Sequence, residues 1–175
     1  MTTFSHTGPW DKHSRSSPPL VFLESYFSQV DALNTPPLPA STFYAPLAIC
    51  HDTKGFTHIG SEHIWSYIFR LLAPFDKVDH EVVSLSVWNA VEKRVVHAEF
   101  MTRFWFRGEE DEVVVPQLFV FEIVERDMEG EGWWIERVKA FWDMAVLGRW
   151  ITERRQREMG ARKRVRAGED EGCVV

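Results

Sequence analysis

The chain has 175 residues, 45% of them apolar and 14% aromatic, which favours one domain with a sizeable core. Residues 149–166 carry eight basic and two acidic side chains, so the net charge of −6 combines a basic segment with an acidic remainder of −12. An acidic body argues against a broad nucleic-acid-binding surface, and no apolar run is long enough to span a bilayer.

The two ends of the chain are predicted to lie outside the folded body. Residues 1–19 are rich in Ser, Thr, His and Pro without a hydrophobic period, so we expect a flexible leader before a single domain over 20–150. Residues 151–175 predict a basic helical extension and a disordered tail. The basic segment either pairs with the acidic body as a solvated helix or binds RNA or anionic lipid.

The cysteine count and the first residues bear on the compartment. The chain has two cysteines, Cys50 and Cys173, which form no disulfide framework and fit a reducing, cytoplasmic location. No cationic start is followed by an apolar run, so we expect no signal peptide.

Two helices are predicted in the first half of the chain. Apolar residues recur at three- and four-residue spacing over 20–34, and proline pairs bracket the segment. A second helix is predicted from Ser61, whose hydroxyl suits an N-cap, to Pro74, which ends it. Residues 47–51, between the two helices, predict a short strand.

The second half predicts an antiparallel meander. Val, Ile, Phe and Trp are concentrated in four runs separated by short turn sequences, and connections this short join antiparallel strands. The strands are expected at Val82–Asn89, Lys93–Arg107, Val113–Arg126 and Trp133–Asp143. His80 is expected in a surface turn before the first of them. Helices followed by aromatic strands suggest a sheet wrapped around a helix, with a pocket inside.

Two motifs resemble the SnoaL-like proteins of the nuclear transport factor 2-like superfamily. The last predicted strand has the pattern Ile-x-Arg-x-x-x-aromatic-x-Asp from Ile135 to Asp143, after a Gly-containing hairpin. Upstream, Ile-Cys-His-Asp at 49–52, followed by a glycine and a helix, resembles the strand–acid–Gly–helix passage of the same group. The order of elements agrees over residues 20–150.

The resemblance implies an α+β fold shaped like a cone, also called a cystatin-like α+β barrel. In this fold a strongly curved antiparallel sheet wraps around an N-terminal helix and leaves a cavity at the wide end. Members include polyketide cyclases, ketosteroid isomerases, scytalone dehydratase, limonene epoxide hydrolase and binding domains without catalysis, and the group often dimerises through the convex face of the sheet. The fold therefore does not choose among these activities.

Asp143 is the first candidate for proton transfer, because it matches the aspartate of the family motif. Acids around the cavity mouth move protons in catalytic relatives, and on this hypothesis Asp143→Asn would spare folding and abolish turnover. The alternatives are an N-cap for the following helix and an ion pair with Arg137 or Lys139. Strict alternation puts one set of residues on a single face, and a bulge would have to turn Asp143 inward. That set is Ile135, Arg137, Lys139, Phe141 and Asp143.

His51 and Asp52, at the end of the first predicted strand, are the next candidates. A His beside an Asp can form an oriented acid–base pair, but adjacent strand residues point in opposite directions, so only one would enter the interior. The alternative is a polar loop edge at which Asp52 accepts hydrogen bonds from the turn at 53–55.

His97 is a candidate only for one facing of its strand. The apolar even-numbered positions of that strand form the better core face, so His97, Glu99 and Arg103 are expected to meet water or a second subunit. With the opposite facing, His97 and Glu99 would line the cavity as a proton-transfer pair.

Aromatic side chains from the helices and the sheet are expected to surround one apolar chamber suited to a flat or polycyclic ligand. The candidates for substrate binding are Tyr26, Tyr44, Trp65, Phe69, Phe119, Phe121 and Trp142. No metal site is expected, because His58 and His63 have no recognised ligand spacing.

Three functional hypotheses follow. The first is a cofactor-independent isomerase, cyclase or dehydratase that acts on a hydrophobic metabolite, such as a polyketide or terpenoid, by general acid–base catalysis. The second is a non-catalytic ligand-binding or dimerisation domain of the same fold, and the third is an adaptor whose basic C-terminal segment binds an acidic partner. The expected partners are a hydrophobic small molecule and a second copy bound through the sheet. Neither a membrane nor a nucleic acid is expected.

Overall fold

The structure is a computed structural model that describes residues 2–33, 37–126, 132–143, 145–146 and 148–153. It contains two compact units, Met1–Trp142 and Asp143–Val175, and each is described by itself. Most of the predicted basic extension and tail lies outside the described residues.

Two α-helices belong to the first unit, α1 at Pro18–Asp31 and α2 at Ser61–Leu72. Prolines occupy the first two positions of α1, where the missing amide hydrogen would have no partner within the helix. Both predicted helices are confirmed. The N-cap of α2 is Gly60 rather than Ser61, and Gly60 has a φ of 95°, which a residue with a side chain rarely adopts.

Seven strands form one sheet in the order β1-β4-β5-β6-β7-β2-β3. The predicted meander is confirmed as β4 to β7, and its first strand begins earlier than expected. The bounds are β1 Thr2–Thr7, β2 Tyr44–His51, β3 Thr57–Ile59, β4 Phe75–Ala90, β5 Lys93–Phe106, β6 Glu112–Glu125 and β7 Trp133–Trp142.

Helix α1 packs on one face of this sheet, called the inner face below. The ring of Phe27 lies 4.4 Å from that of Phe100 on β5, and the ring of Tyr26 lies 6.0 Å from that of Phe121 on β6. The even-numbered residues of β5 from Val96 to Phe106 are buried on this face, as predicted. The expected cone-shaped α+β fold is therefore confirmed.

Three strand pairings were not predicted, one of them that of β2 with the short strand β3. Residues 2–7, expected in the flexible leader, form the antiparallel edge strand β1 beside β4. The polar residues of β1 gave no hydrophobic period, because an edge strand is held largely by backbone hydrogen bonds. Strand β2 joins β7 in parallel, a pairing that links residues distant in sequence.

A register shift in the β6–β7 pair changes the facing expected for the last strand. Ile135 is buried whereas Phe141 is 50% exposed, so the strict alternation that put both on one face was wrong. A bulge adds one residue and moves the following side chains to the other face. After it, Val138 and Trp142 share the inner face and Phe141 lies on the outer face.

No helix in the described part of the chain combines the length and the apolar character needed to cross a membrane.

The β4–β5 turn offers a test of backbone strain. Glu92 has a φ of 63°, a left-handed conformation that glycine adopts without steric cost. We expect Glu92→Gly to raise the free energy of unfolding by about 0.5 kcal/mol, measured by urea denaturation.

The matched control is Val91→Gly in the same turn, where φ is not positive. There glycine adds only backbone entropy to the unfolded chain and should lower stability by about 0.5–1 kcal/mol. Equal destabilisation by the two substitutions would contradict the assignment of strain to Glu92.

Candidate functional site

A histidine and a carboxylate meet where α1 ends against the inner face of the sheet. Nδ1 of His80 lies 2.5 Å from Oδ1 of Asp31, and the backbone amide of His80 donates to Oδ2 of Asp31 at 3.2 Å. Asp31 is the last residue of α1, and His80 lies on β4. We refer to the two side chains as the Asp31–His80 dyad.

The dyad fixes the imidazole of His80 in one orientation. A carboxylate only accepts hydrogen bonds, so Nδ1 of His80 carries the hydrogen of the contact with Asp31. In the neutral ring the lone pair then lies on Nε2. Nε2 has no hydrogen-bond partner among the described residues. The arrangement therefore leaves an oriented nitrogen base.

Aromatic rings surround the imidazole. The ring centroid of His80 lies 4.8 Å from that of Phe27, 5.5 Å from that of Phe100 and 6.3 Å from that of Phe119. The His80 side chain is 5% exposed, whereas that of Asp31 is 25% exposed. A base walled by phenylalanines suits proton abstraction from an apolar molecule, because such surroundings exclude competing water.

Polar side chains continue from His80 across the inner face. Thr102 is the cross-strand partner of His80, and its hydroxyl donates to Oε1 of Gln117 at 2.8 Å. Both Thr102 and Gln117 are buried. Buried polar groups are costly unless they are bonded, so this row is a feature that core packing alone would not select.

Two tyrosines form a further buried pair beside α2. The hydroxyls of Tyr26 and Tyr44 lie 2.7 Å apart, and both side chains are almost fully buried. Burial is the main cause that raises the pKa of each phenol above its usual value, so both stay neutral. The pair can donate or relay a hydrogen bond but carries no charge.

His51 and Asp52 lie where β2 ends and the turn to β3 begins. Nδ1 of His51 lies 3.1 Å from the hydroxyl of Thr57. Asp52 accepts the backbone amides of Lys54 and Phe56, each at 2.9 Å, which is the turn-stabilising alternative considered above. Both residues thus make local contacts within the β2–β3 hairpin.

A second polar cluster surrounds Asp52. The Tyr67 hydroxyl donates to Oδ2 at 3.1 Å, and Nε2 of His58 lies 3.5 Å from the same oxygen. Burial raises the pKa of Asp52, but hydrogen bonds led by the Phe56 amide and the Tyr67 hydroxyl outweigh it, so the pKa lies below its usual value. Asp52 is therefore held as an anion.

His97 lies on the outer face of the sheet. Its side chain is exposed and lies 4.4 Å, between ring centroids, from Trp88. Glu99 is also exposed and accepts the Ser84 hydroxyl at 2.7 Å. The opposite facing, which would have placed His97 and Glu99 in the interior, is not the one adopted.

Asp143 begins the second unit, is exposed, and contacts the helical segment that follows it. Its Oδ1 accepts the amides of Ala145 at 3.0 Å and Val146 at 3.4 Å. This is the N-capping geometry that the sequence analysis gave as the alternative to catalysis. The proton-transfer role of Asp143 stays a prediction.

Six of the seven predicted substrate-binding aromatics belong to one network of ring contacts, which Phe27 and Phe43 help to connect. The six are Tyr26, Tyr44, Trp65, Phe69, Phe119 and Phe121. Trp142 contacts Phe104 instead, at 5.9 Å between ring centroids. Through Phe27 and Phe119 the network reaches His80. Substrate contacts by these residues stay a prediction.

The dyad was not predicted from the sequence. His80 was expected in a surface turn, but it is buried in β4, since that strand begins at Phe75. The apolar alternation Val78–His80–Val82 was the available signal, and the polar residues between those positions obscured it. Asp31 also gave a signal, because an acidic residue in the last turn of a helix is disfavoured by the helix dipole.

Among the described residues, no group of three or more His, Cys, Asp or Glu side chains is placed to hold a metal ion. Cys50 is a free, buried thiol. Burial is the main cause that raises its pKa to about 12, so it is not a ready nucleophile.

Solved structures with the same architecture identify the fold. A protein assigned as a scytalone dehydratase from Novosphingobium aromaticivorans has a TM-score of 0.59 at 10% identity, over 72% of this chain and 82% of that one. The hexachlorocyclohexane dehydrochlorinase LinA-type3 from Novosphingobium barchaimii has a TM-score of 0.59 at 11% identity, over 74% and 86%. Nuclear transport factor 2 from Cryptosporidium parvum has a TM-score of 0.55 at 12% identity, over 76% and 97%.

This chain has the nuclear transport factor 2-like fold. The resemblance drawn from the two sequence motifs is thereby confirmed for the fold. No family model and no curated protein sequence matches the chain. At identities this low, the nuclear transport factor 2-like fold leaves the activity to be argued from the residues of this chain.

The hydrogen bonds of Asp52 predict a structural effect. Asp52→Ala removes the acceptor for two backbone amides and the Tyr67 hydroxyl, and should lower the free energy of unfolding by about 2 kcal/mol. Urea denaturation at pH 7 measures this loss. A variant as stable as the wild type would contradict the assigned role.

The charge of Asp52 adds a dependence on pH. Because the folded pKa lies below the unfolded value, the added stability is fully present above the unfolded pKa and is lost as pH falls through the folded pKa. The stability difference between wild type and Asp52→Asn should therefore shrink as the pH is lowered from about 6 to about 3. A difference that grows in acid would contradict the sign.

Proposed function

We propose that this protein is a cofactor-independent enzyme that removes a proton from carbon in a hydrophobic small molecule, with His80 as the general base. The observation that carries the proposal is the Asp31–His80 dyad, in which Nε2 of His80 has no partner among the described residues and the imidazole is surrounded by phenylalanine rings. Isomerisation, cyclisation and dehydration of a polyketide or terpenoid can each begin with such a step.

The chemistry of the dyad follows from its geometry. Nε2 of His80 takes the proton from a carbon next to a carbonyl or a leaving group, and the Asp31 carboxylate stabilises the imidazolium that forms. In an elimination, the electron pair of the broken C–H bond becomes the new double bond while the leaving group departs with its bonding electrons. In an isomerisation, the same proton returns from Nε2 to another carbon of the substrate.

Two structures of the same fold bear names that denote eliminations. A dehydratase removes water, and a dehydrochlorinase removes hydrogen chloride. Both reactions break a C–H bond beside a leaving group. These names support the first of the functional hypotheses, although sequence identity is low. The proposal assigns to His80 the proton transfer that the sequence analysis gave to Asp143 with His51 or Asp52.

Proton abstraction can be tested without the natural substrate. The probe is 2-tetralone, a bicyclic ketone whose α protons exchange with deuterium when a base removes them. In D₂O, followed by ¹H NMR, we expect wild-type protein to accelerate exchange and His80→Gln to reduce the protein-dependent rate at least about 100-fold. Asp31→Asn should give an intermediate loss, because the ring is no longer held in the required tautomer.

The matched control is His97→Gln, which removes a histidine from the outer face of the same sheet. This variant should exchange 2-tetralone at the wild-type rate. Equal rates for wild type and His80→Gln would overturn the proposal and favour the non-catalytic ligand-binding alternative.

The dimerisation expected from the sequence has its own supporting observation. Met101 and Phe141 are 37% and 50% exposed on the outer face. Met101 pairs with Pro116, and Phe141 pairs with Leu118, so the four side chains form a continuous apolar patch across β5, β6 and β7. We propose that a second copy of the chain covers this patch, since exposed apolar patches mark protein interfaces.

Light scattering after size exclusion tests the dimer. Wild type should have twice the chain mass of 20.4 kDa, and Phe141→Glu should have the mass of one chain, because it buries a charge in the apolar contact. Val91→Glu, which alters an apolar residue that is 87% exposed in a turn, should remain dimeric. A wild-type protein with the mass of one chain would contradict the proposal.

A further inference from the structure

Two buried nitrogen donors on the inner face lack acceptors. Among the described residues, Nε2 of Gln117 and Nε1 of Trp142 are buried side-chain atoms without a hydrogen-bond partner. Gln117 is 4% exposed. Leaving a buried donor unpaired costs about 1–3 kcal/mol, so a folded chain that keeps two of them together calls for an explanation.

The two donors belong to directly opposed residues. Gln117 on β6 and Trp142 on β7 are cross-strand partners in the antiparallel ladder. Side chains of such a pair lie on the same face, with Cβ atoms about 5 Å apart. Phe104, which is fully buried on the inner face, contacts the Trp142 ring at 5.9 Å between centroids. Both side chains therefore face the interior that holds the dyad.

Thr102 contacts the carbonyl end of the Gln117 amide. Its hydroxyl donates to Oε1 of Gln117 at 2.8 Å, so the carbonyl end of the amide is bonded and Nε2 remains unpaired. Thr102 is also the cross-strand partner of His80. The inner face thus presents, from β4 to β7, a base, a bridging hydroxyl and two donors.

The spacing suits one small ligand. Gln117 lies two strands from His80 and is offset by two residues along the strands, since Gln117 pairs with Phe100 whereas His80 pairs with Thr102. At the usual spacings this corresponds to roughly 12 Å between backbones. Both residues are buried on the same inner face. A carbonyl oxygen lies two bonds from its α-carbon, so one ketone can present the oxygen to the donors and the α-proton to Nε2 of His80.

We infer that Gln117 and Trp142 bind the carbonyl oxygen of the substrate, which is then a hydrophobic, enolisable ketone. The inference rests on the proposed function, to which it adds the substrate class. Both groups are neutral and can only donate through these nitrogens, so they select an acceptor oxygen without requiring a full negative charge. When His80 removes the α-proton, the electron pair moves onto this oxygen, and the two donors stabilise the enolate that forms.

Binding of two matched probes tests the inference separately from turnover. 2-Tetralone and tetralin share the bicyclic frame and differ in the carbonyl oxygen. Two neutral hydrogen bonds should give wild type about tenfold tighter binding of 2-tetralone than of tetralin, measured by titration in ¹⁵N-labelled NMR. The indole N–H signal of Trp142, identified by its absence in Trp142→Phe, should shift downfield with 2-tetralone and not with tetralin.

Substitutions distinguish the contribution of the two hydrogen-bond donors to binding from that of apolar packing. Trp142→Phe and Gln117→Leu should each reduce the preference for 2-tetralone to about threefold or less, and tetralin affinity should stay within twofold of wild type. Trp134→Phe is the matched control, because its indole N–H donates to the Ser41 carbonyl instead. This control should keep the tenfold preference. Trp142→Phe retains most of the ring, so the test stands even if Gln117→Leu folds poorly.

The outcomes distinguish this inference from the proposed function. Equal affinity of wild type for the two probes, binding of neither, or a full preference retained in Trp142→Phe would overturn the oxygen site. His80→Gln should keep the preference, since the donors are intact. A protein that prefers 2-tetralone without accelerating its exchange would retain the oxygen site and lose the catalytic role of His80.

Discussion

The contact between Asp31 and His80 ties the end of α1 to the inner face of the sheet. A carboxylate at a helix C-terminus faces the negative end of the helix dipole, which costs about 0.3–1 kcal/mol. Here the Asp31 carboxylate accepts hydrogen bonds from both the ring nitrogen Nδ1 and the backbone amide of His80, and these two hydrogen bonds offset that cost. The position and the tautomer of the imidazole, and with them the chemistry proposed for the interior, depend on this contact.

The surroundings of the dyad are organised by residue type as well as by position. Phenylalanines on α1, β5 and β6 enclose the imidazole, while the polar row of Thr102, Gln117 and Trp142 crosses the same face toward β7. The apolar side chains exclude water but do not fix the orientation of a ligand, whereas a few fixed hydrogen-bond donors do. This division of roles is consistent with a small site in which positioning contributes much of the catalysis.

The sequence predicted the architecture better than the chemistry. Helix α1 and the meander from β4 to β7 follow from local periodicity and short turns, which a single sequence displays. The β2–β7 pairing and the Asp31–His80 contact both join residues that are 49 or more positions apart in the sequence. The second contact also joins a helix to a sheet. No local pattern specifies either of them. The bulge in β7 shows the same limit. One extra residue in the strand moved the side chain of Phe141 to the face opposite that of Ile135, and no sequence pattern marked the position of the bulge.

The edges of the sheet carry a consequence for handling the protein. One edge is the six-residue, mostly polar β1, and the other is the three-residue β3. Short or polar edge strands offer little template for a foreign chain. Removal of β1 would instead bare the long β4, whose unpaired amides and carbonyls could recruit further strands. Truncation of the N-terminus would therefore replace a short, polar edge strand with a long, exposed one that is prone to aggregation.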